Sequence, residues 1–528
     1  MKTIDPNKHW LEIFFAVIGA LIIAVSFLID VTGRGEQSGF GLKQVMLSLL
    51  GGGMLVIAGV MLRARARGWD PKIPTVVDLG VHARRQQRDI LIVVILAGAA
   101  AYLSYQGAQL INPIVYDRRT DDIWFQTDIA RFLAVATRPD AYEHRTTKVH
   151  PLFSLIAYSS VSILRQGLGI EPITAIRLII AAVASLWIST MFILLRLIGC
   201  RRFDATLFSV LTAASASAVF GFVIPDTYSF GSLTILLALV IVVVAQRRKL
   251  SPLWYVLVSA LTLSITVTNW MAGILATVVN HSWKRVLQIT IVVYCLVVTL
   301  WVVEKYMFPW AGFFLYDSEK TDFILVPESG GPLHVTKSFV FHTMVMPSIA
   351  VVNYYDRPYW PLMTTQPTLP GSGTLWGMAA VGLWGALLGL GVWALFSVGQ
   401  HRHLRIMLVL LLLGQLALHI IYGEETFLYA LHFGPLLVVL TALSTLTRMR
   451  LVALGLAGAL LLSTGINNGL QFTRATEFIQ CLKLNESGSD PMSRPIAELL
   501  PEPSSFTEFS TVEELLSTCR NPEMVSER

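Results

Sequence analysis

The chain has 528 residues, of which 54% are hydrophobic and 14% are charged, and its formal net charge is +6. Soluble proteins carry about 25% charged residues, and soluble domains of about 150 residues could not bury this much apolar surface. The composition therefore excludes an ordinary cytosolic enzyme, a disordered chain and a disulfide-rich scaffold. Continuous apolar runs, without the alternation of a β-barrel, predict an all-α polytopic membrane protein.

The apolar segments predict about 11 to 13 transmembrane helices of about 20 residues each. They lie at 11–29, 44–62, 90–110, 172–199, 205–224, 229–245, 252–267, 269–280, 286–303, 374–399, 404–421, 428–447 and 450–468. The segment 269–280 is too short to span a bilayer, so 252–280 is predicted to form a hairpin or a broken helix that bends near Thr268 and Asn269. Such a break is tolerated only where it is buried in protein or lines a cavity.

The basic residues form short clusters between these segments, and the clusters fall on one side of the membrane if the N-terminus is cytoplasmic. Examples are Arg201 with Arg202, and the run 247–249. This distribution argues against nucleic-acid binding, because it is the pattern that membrane topology produces. It also places the C-terminal tail outside, which is the periplasm if the source is bacterial.

The spans and loops divide the chain into five regions. These are 1–89 with two transmembrane helices and a basic cytoplasmic loop, 90–303 with the exterior loop 111–171 and exterior juxtamembrane helices, the long exterior loop 304–373, the transmembrane helices of 374–469, and a small soluble exterior tail, 470–528. Cys481 and Cys519 both lie in the tail. They form either a disulfide or two thiols, because spacing alone does not establish a pairing.

The loop after the third span concentrates charge beside the membrane. Apolar residues at helical spacing predict a helix over 122–137 that lies in the interface, with Trp124 at headgroup depth. On this helix Asp128 and Arg131, at i and i+3, are expected to pair. Charge alone favours a solvated amphipathic loop held by ion pairs.

A second element follows in the same loop, where Lys148, His150 and Pro151 lead into a short apolar helix at 152–164. The combination of this element with Asp121, Asp122 and Asp128 resembles the GT-C superfamily of polytopic membrane glycosyltransferases, in particular its protein-mannosyltransferase-like members. The chain departs from their pattern in three ways. Lysine replaces the first histidine, no clean Asp-x-Asp is present, and two additional spans come first.

The resemblance implies a GT-C-like bundle with its catalytic module in 90–303. It implies a polyprenyl-phosphate-linked sugar as donor and a glycan, lipid or protein as acceptor, at the periplasmic face of a bacterial inner membrane. Asp128 is the expected base that accepts the acceptor's proton, with Asp122 as the second candidate. Arg131, Lys148 and His150 are expected to bind the donor phosphate.

Three further places could contribute to substrate binding. Asp226 follows a span on the exterior side, where it could equally cap the next helix. Glu425, Tyr429 and His432 are predicted to share one helical face, either in substrate binding or in interhelical hydrogen bonding. The loop 304–373 could form an acceptor-binding lid or a structural cap; its candidate residues are His334, Lys337, His342, Asn353, Tyr354, Tyr355, Asp356 and Arg357.

No cofactor is expected to be obligatory. The carboxylates could hold Mg²⁺ or Mn²⁺, but the arginines among them argue against a required metal. Three other functions compete with glycosyl transfer: a lipid or sugar flippase or transporter, a polysaccharide polymerase or ligase, and a non-catalytic assembly subunit. Against a transporter, no pair of corresponding broken helices appears in two halves of the chain.

Overall fold

The computed structural model describes residues 87–118, 122–314, 323–353, 361–482 and 510–520. Its helices are α1 (Gln87–Leu110), α2 (Ile129–Thr137), α3 (Phe153–Leu168), α4 (Pro172–Leu197), α5 (Arg202–Ala213), α6 (Ala216–Gly221), α7 (Thr227–Arg247), α8 (Pro252–Ile265), α9 (Trp270–Val278), α10 (Trp283–Met307), α11 (Gly331–Lys337), α12 (Leu375–Ser397), α13 (Arg402–Ile421), α14 (Ala430–Ala442), α15 (Arg450–Cys481) and α16 (Val512–Arg520). Three short strands are β1 (Ala350–Asn353), β2 (Pro361–Thr364) and β3 (Ser510–Thr511). The predicted spans 11–29 and 44–62 lie outside the described residues.

Eight helical segments of the described chain are long and apolar enough to cross a membrane, and they confirm the predicted all-α polytopic class. They are Gln87–Leu110, Pro172–Leu197, Thr227–Arg247, Trp283–Met307, Leu375–Ser397, Arg402–Ile421, Thr426–Leu446 and Arg450–Cys481. Because each is at least 18 residues long with few charges, the chain is an integral membrane protein.

The bundle is organised around α14, whose residues are almost all buried. This helix packs against α4, α5, α7, α12 and α13. By contrast, α1 packs mainly along α4 and exposes large apolar side chains, as a helix facing lipid does. Asp89 at its start pairs with Arg196 and Arg202, which ties α1 to α4 and α5.

The predicted span 205–224 is wrong as a single helix, because it divides into α5 and α6. The chain leaves α5 after Ala213 and restarts at the N-cap Ser215, whose hydroxyl accepts a hydrogen bond from the amide of Ala218. The side-chain amide of Asn468 donates to the carbonyl of Ala214 at 2.8 Å. A polar residue of α15 therefore satisfies a backbone group that the break releases.

The region 252–280 is a broken helix, as predicted, since α8 ends at Ile265 and α9 begins at Trp270. The short helix predicted at 152–164 is also present, as α3. Both features border the candidate site.

The C-terminal boundary differs from the prediction. Helix α15 continues to Cys481 rather than ending at 468, and the described part of the tail packs against the helical body. There β3 extends the antiparallel sheet in the order β2-β1-β3, with Ala350 paired to Thr511. Helix α16 packs on α15. The side chain of Cys519 lies outside the described residues, so its pairing with Cys481 stays a prediction.

Arg450 should contribute strongly to stability, because it holds a buried carboxylate between α15 and α5. Its guanidinium contacts Asp204 at 2.9 and 2.6 Å, and Asp204 is 1% exposed. We expect Arg450→Ala to lower the melting temperature by several degrees, since it leaves this carboxylate buried without its partner. Thermal unfolding of the purified protein measures the loss. Arg448→Ala, an exposed neighbour, is the control, and equal melting temperatures for the two variants would contradict the prediction.

Candidate active site

A cavity of about 480 Å³ lies at one end of the membrane helices, on the side of the loop 122–150. It is bounded by the loop 122–150, by the break between α8 and α9, by the end of α13 and by the segment 422–432. Seven of the nine site residues predicted from the sequence line it: Asp122, Asp128, Arg131, Lys148, His150, Tyr429 and His432. Its size is typical of ligand-binding cavities.

The segment before α2 does not form the predicted interfacial helix, because Trp124 is buried in the protein rather than placed at headgroup depth. Trp124 is 1% exposed, its indole nitrogen donates to the carbonyl of Phe220 at 3.2 Å, and its ring contacts Phe125 and Phe220. The neighbouring carbonyl of Ile123 accepts a hydrogen bond from the amide of Met363 in β2. The helical part therefore begins only at Ile129.

The backbone of residues 122–128 has an unusual conformation that brings two carboxylates close to one arginine. Asp122, Phe125 and Gln126 have positive φ angles of 69°, 52° and 61°, a region that non-glycine residues seldom occupy. As a result Arg131 contacts both Asp128, at 2.7 Å, and Asp122, at 3.7 Å. The pairing of Asp128 with Arg131 expected from their spacing is confirmed.

Main-chain hydrogen bonds connect the His-Pro element, residues 148–151, and the residue that follows it to the broken helix. The amide of Leu152 donates to the carbonyl of Ser264, and the amide of Val267 donates to the carbonyl of Val149, at 2.9 and 3.0 Å. Nδ1 of His150 donates to the carbonyl of Ile265 at 2.9 Å. The backbone groups released where α8 ends are thus satisfied, and His150 is held at the cavity wall.

Lys148 reaches the cavity beside a glycine that leaves room for it. A Cβ atom at Gly312 would lie 2.4 Å from Cγ of Lys148, so a larger residue would displace the lysine. The hydroxyl of Thr147 also accepts a hydrogen bond from the amide of Gly312 at 2.7 Å. Arg145, which the sequence analysis did not single out for the site, lines the same cavity.

The charged groups thus form a compact set of carboxylates and cations. Asp122, Asp128 and Glu424 line the cavity together with Arg131, Arg145 and Lys148. Desolvation raises the pKa of Asp128, whereas the charges of Arg131 and Arg145 lower it. A carboxylate balanced in this way can accept a proton and remain close to bound phosphate.

Asp226 has the helix-capping role that its position suggested, and it does not line the main cavity. It caps α7, accepting a hydrogen bond from the amide of Tyr228 at 3.2 Å. It also borders a separate small cavity of about 20 Å³, together with Asp128, Arg131 and His150. Burial, and then the charge of Asp128, raise the pKa of Asp226 to about 7. Asp226 can therefore hold a proton near neutral pH.

Glu425 does not line the cavity, so the single helical face predicted for Glu425, Tyr429 and His432 is wrong. Residues 426–429 form a 3₁₀ turn before α14, and Glu425 is buried behind it. Its carboxylate accepts hydrogen bonds from Thr364, from the backbone and hydroxyl of Thr365, and from the amide of Phe427. Glu425 thus anchors β2 to the membrane helices.

The adjacent Glu424 does reach the cavity, where Nε2 of Gln126 donates to its carboxylate at 2.6 Å. This bond joins residues 298 positions apart and connects two walls of the cavity.

The long loop 304–373 contacts the cavity through Phe323 and Ile324. Residues 323–325 pair with the end of α13, where the amide of Leu325 donates to the carbonyl of Ile421 at 2.8 Å. Lys337 donates to the carbonyl of Gln366 at 3.0 Å, which stabilises the loop itself. His342 is buried, and neither residue lines the cavity. His334 belongs to α11 and does not line the cavity. The side chain of Asn353 and the residues 354–357 lie outside the described part of the chain.

Several cavity residues were not predicted, among them Tyr228, Gln415 and His419, and the backbone of 266–268. A signal was present for two of them, since a glutamine and a histidine four residues apart in an otherwise apolar span indicate a polar helix face. Within the described ranges no group of three or more His, Cys, Asp and Glu side chains is arranged to hold a metal ion.

Comparison with known proteins gives a likeness in structure and none in sequence. No family model matches the sequence, and no curated protein matches it. Among solved structures, the chain is similar to the crystal structure of the oligosaccharyltransferase of Archaeoglobus fulgidus in complex with Zn and sulfate. The identity is 14%, the TM-score is 0.39, and the alignment covers 79% of this chain. The chain spans 58% of the length of that protein.

We expect the stability of the protein to decrease as the pH rises toward and past neutrality, because of Asp226. Its pKa is raised from 3.8 to about 7, so between these values the folded state holds a proton that the unfolded state has lost. Asp226→Asn keeps a side-chain acceptor for the helix cap but cannot ionise. Its melting temperature should fall less than that of the wild type between about pH 5 and pH 8, by a few degrees.

The matched control is Glu171→Gln, which makes the same chemical change at the exposed N-cap of α4. This variant should keep the pH dependence of the wild type. If Asp226→Asn does so as well, the raised pKa of Asp226 is contradicted.

Proposed function

We propose that the chain is a GT-C-like membrane glycosyltransferase, a hexosyl- or pentosyltransferase that uses a polyprenyl-phosphate-linked sugar. The observation that supports this most directly is the single cavity in which Asp128 lies together with Arg131, Arg145, Lys148 and His150, at the ends of membrane helices. A lipid-linked donor needs this placement, because its chain stays in the bilayer while its phosphate reaches the aqueous face.

In the proposed reaction, the hydroxyl oxygen of the acceptor attacks the anomeric carbon and Asp128 accepts its proton. The bond between the anomeric carbon and the phosphate oxygen breaks, and the electron pair leaves with the lipid phosphate. This direct displacement inverts the configuration at the anomeric carbon. Charge develops on the phosphate oxygen in the transition state, so cationic side chains placed there accelerate the step.

Each polar side chain of the cavity has a distinct part in this proposal. Arg131 holds Asp128 in position through the 2.7 Å contact. Arg145 and Lys148 supply positive charge for the phosphate, and guanidinium groups suit its oxygens especially well. Asp226 offers a second site for the transferred proton through the small cavity that it shares with Asp128.

The proposed membrane and orientation of the chain rest on the resemblance to GT-C glycosyltransferases and on the basic clusters between the spans. We propose a bacterial inner membrane with the N-terminus in the cytoplasm, and with the cavity and the C-terminal tail in the periplasm. The acceptor class stays open among glycan, lipid and protein, and a divalent cation remains possible without being required.

Replacing the base provides the central test. Asp128→Asn keeps the shape of the side chain but removes the proton acceptor, so sugar transfer should fall by about 10²-fold or more. Transfer is measured with the full chain in lipid nanodiscs, from labelled short-chain polyprenyl-phosphate sugars to a membrane extract. Glu171→Gln, the same change of carboxyl to amide outside the cavity, should leave the rate unchanged.

Asp122→Asn distinguishes the two candidate bases, because Asp122 contacts Arg131 only at 3.7 Å. We expect a smaller loss for this variant. If Asp122→Asn is inactive while Asp128→Asn turns over normally, the assignment of the base is wrong. If both variants move label across the membrane without forming a glycosidic product, the protein is a transporter and not a transferase.

The phosphate site gives an independent prediction. Arg145→Met should weaken binding of sugar-free polyprenyl phosphate by about 10-fold, because a charge-assisted hydrogen bond contributes about 1.5–3 kcal/mol. The control is Arg138→Met, which makes the same change at an exposed arginine that does not line the cavity. Equal affinities for the two variants would exclude Arg145 from the phosphate site.

A further inference from the structure

The cavity has two chemically different ends. All the Asp, Glu, Lys and Arg side chains that line it come from the exterior segments 122–148 and 423–424. The membrane helices instead contribute Gln415, His419 and His432. Gln415 lies six residues before the end of α13 at Ile421, which places it about 9 Å deeper at 1.5 Å per residue. The deep end is therefore polar without carrying a carboxylate, lysine or arginine.

The aromatic rings at this deep end are held in defined positions. His419 stacks on Tyr429, with ring centroids 4.4 Å apart and 28° between the planes. Tyr228 contacts Tyr429 at 5.0 Å and His432 at 5.2 Å. Together the four rings form a rigid wall with both apolar faces and polar edges.

The position of His432 depends on a close approach between helices. Its Nε2 lies 3.3 Å from the side-chain nitrogen Nδ2 of Asn269, at the break before α9. A Cβ atom at Gly231 would lie 2.4 Å from this Nε2 and 2.5 Å from Nδ2 of Asn269. Glycine at position 231 thus allows α7 to pack directly against this pair.

The deep end also presents buried polar atoms without protein partners. Gln415 is 1% exposed and His419 is 3% exposed. Among the described residues Oε1 of Gln415 has no hydrogen-bond partner, and the ring of His419 has a backbone contact to Tyr422 that falls short of full hydrogen-bond geometry. Leaving such a group unsatisfied costs about 1–3 kcal/mol, and buried polar groups in native proteins are nearly always satisfied. A bound molecule rich in hydroxyl groups would supply the missing partners.

We propose that this deep end, formed by Gln415, His419, Tyr228, Tyr429 and His432, binds an uncharged sugar ring. A sugar fits this wall because its hydroxyl groups can donate to Gln415 and His419, while its C–H face can lie on a tyrosine ring. The assignment rests on the proposed function and narrows it to neutral hexoses or pentoses. Uronic acids and amino sugars are disfavoured, because burying an unpaired charge costs far more than burying a hydroxyl group.

The positions of the cationic side chains support the same arrangement. With Arg131, Arg145 and Lys148 at the exterior end, a donor can put its phosphate among these cations and its sugar against the rings. Asp128 then lies on the boundary between the two ends, where the anomeric carbon joins sugar to phosphate. The sugar ring of a glycan acceptor has the same chemistry, so the experiment must separate the two sources.

The test measures the binding of four short-chain polyprenyl-phosphate sugars to the full chain in nanodiscs. Two are neutral (glucose and mannose), one is anionic (galacturonic acid) and one is cationic (4-amino-4-deoxyarabinose). The wild type should bind a neutral donor at least about 10-fold more tightly than either charged donor. Gln415→Glu keeps the side-chain shape and adds a negative charge. It should therefore weaken the binding of the neutral donors by about 10-fold and strengthen the binding of the cationic donor.

A reversal of the donor preference distinguishes a binding role of Gln415 from a structural one, because a merely destabilised variant would bind all four donors more weakly by the same factor. Leu413→Ala is the control on the same helix, since Leu413 is 58% exposed on the outer face of α13. His419→Phe keeps an aromatic ring but removes both ring nitrogens. It should weaken the binding of neutral donors without strengthening the binding of the cationic donor.

The outcomes are distinct. Equal affinity of the wild type for charged and neutral donors overturns the neutral-sugar site. So does a Gln415→Glu variant that keeps both its donor preference and its competition by a soluble neutral oligosaccharide. Either result leaves the proposed function intact. Failure of all four donors and of sugar-free polyprenyl phosphate to bind contradicts the proposed function itself. If Gln415→Glu keeps its donor affinities but loses competition by a soluble neutral oligosaccharide, the bound ring belongs to the acceptor.

Discussion

The main-chain hydrogen bonds between 149–152 and 264–267 are the constraint on which the candidate site depends. A helix that breaks inside a membrane protein releases amide and carbonyl groups that lipid cannot satisfy. Here the exterior loop supplies the partners, through Val149, His150 and Leu152. The same bonds therefore stabilise the break and position the histidine. Lys148 and Arg145 are brought to the cavity wall because they precede this anchored segment.

The site also depends on a separation of charge along the depth of the protein. The Asp, Glu, Lys and Arg side chains of the cavity lie on the segments that connect the membrane helices, whereas the helices present amide, imidazole and phenol groups. The energy of burying a charge explains this division. It also explains why Asp226, which is buried beside Asp128, has a raised pKa. A lipid-linked sugar, with one charged and one neutral part, matches both environments.

Much of this arrangement could be predicted from the sequence, because hydropathy and charge act locally. The positions of most described spans, the broken helix and the pairing of Asp128 with Arg131 follow from neighbouring residues, whereas the division of 205–224 into two helices does not. The conformation of 122–128 could not be predicted, since it depends on Trp124 meeting Phe220, 96 positions away. Gln415 and His419 were missed because only the tertiary structure shows that their face of α13 borders the cavity rather than another helix.

The pairing of segments far apart in the chain also has a consequence for biogenesis. Residues 122–128 are supported by β2, and Gln126 meets Glu424 almost 300 positions later. The strand β3, close to the C-terminus, then completes the sheet that contains β2. During synthesis the early helices enter the membrane long before these partners have been translated. A nascent chain therefore carries its carboxylates and arginines without an assembled cavity, and the cavity is complete only after residues 415–432 have been translated.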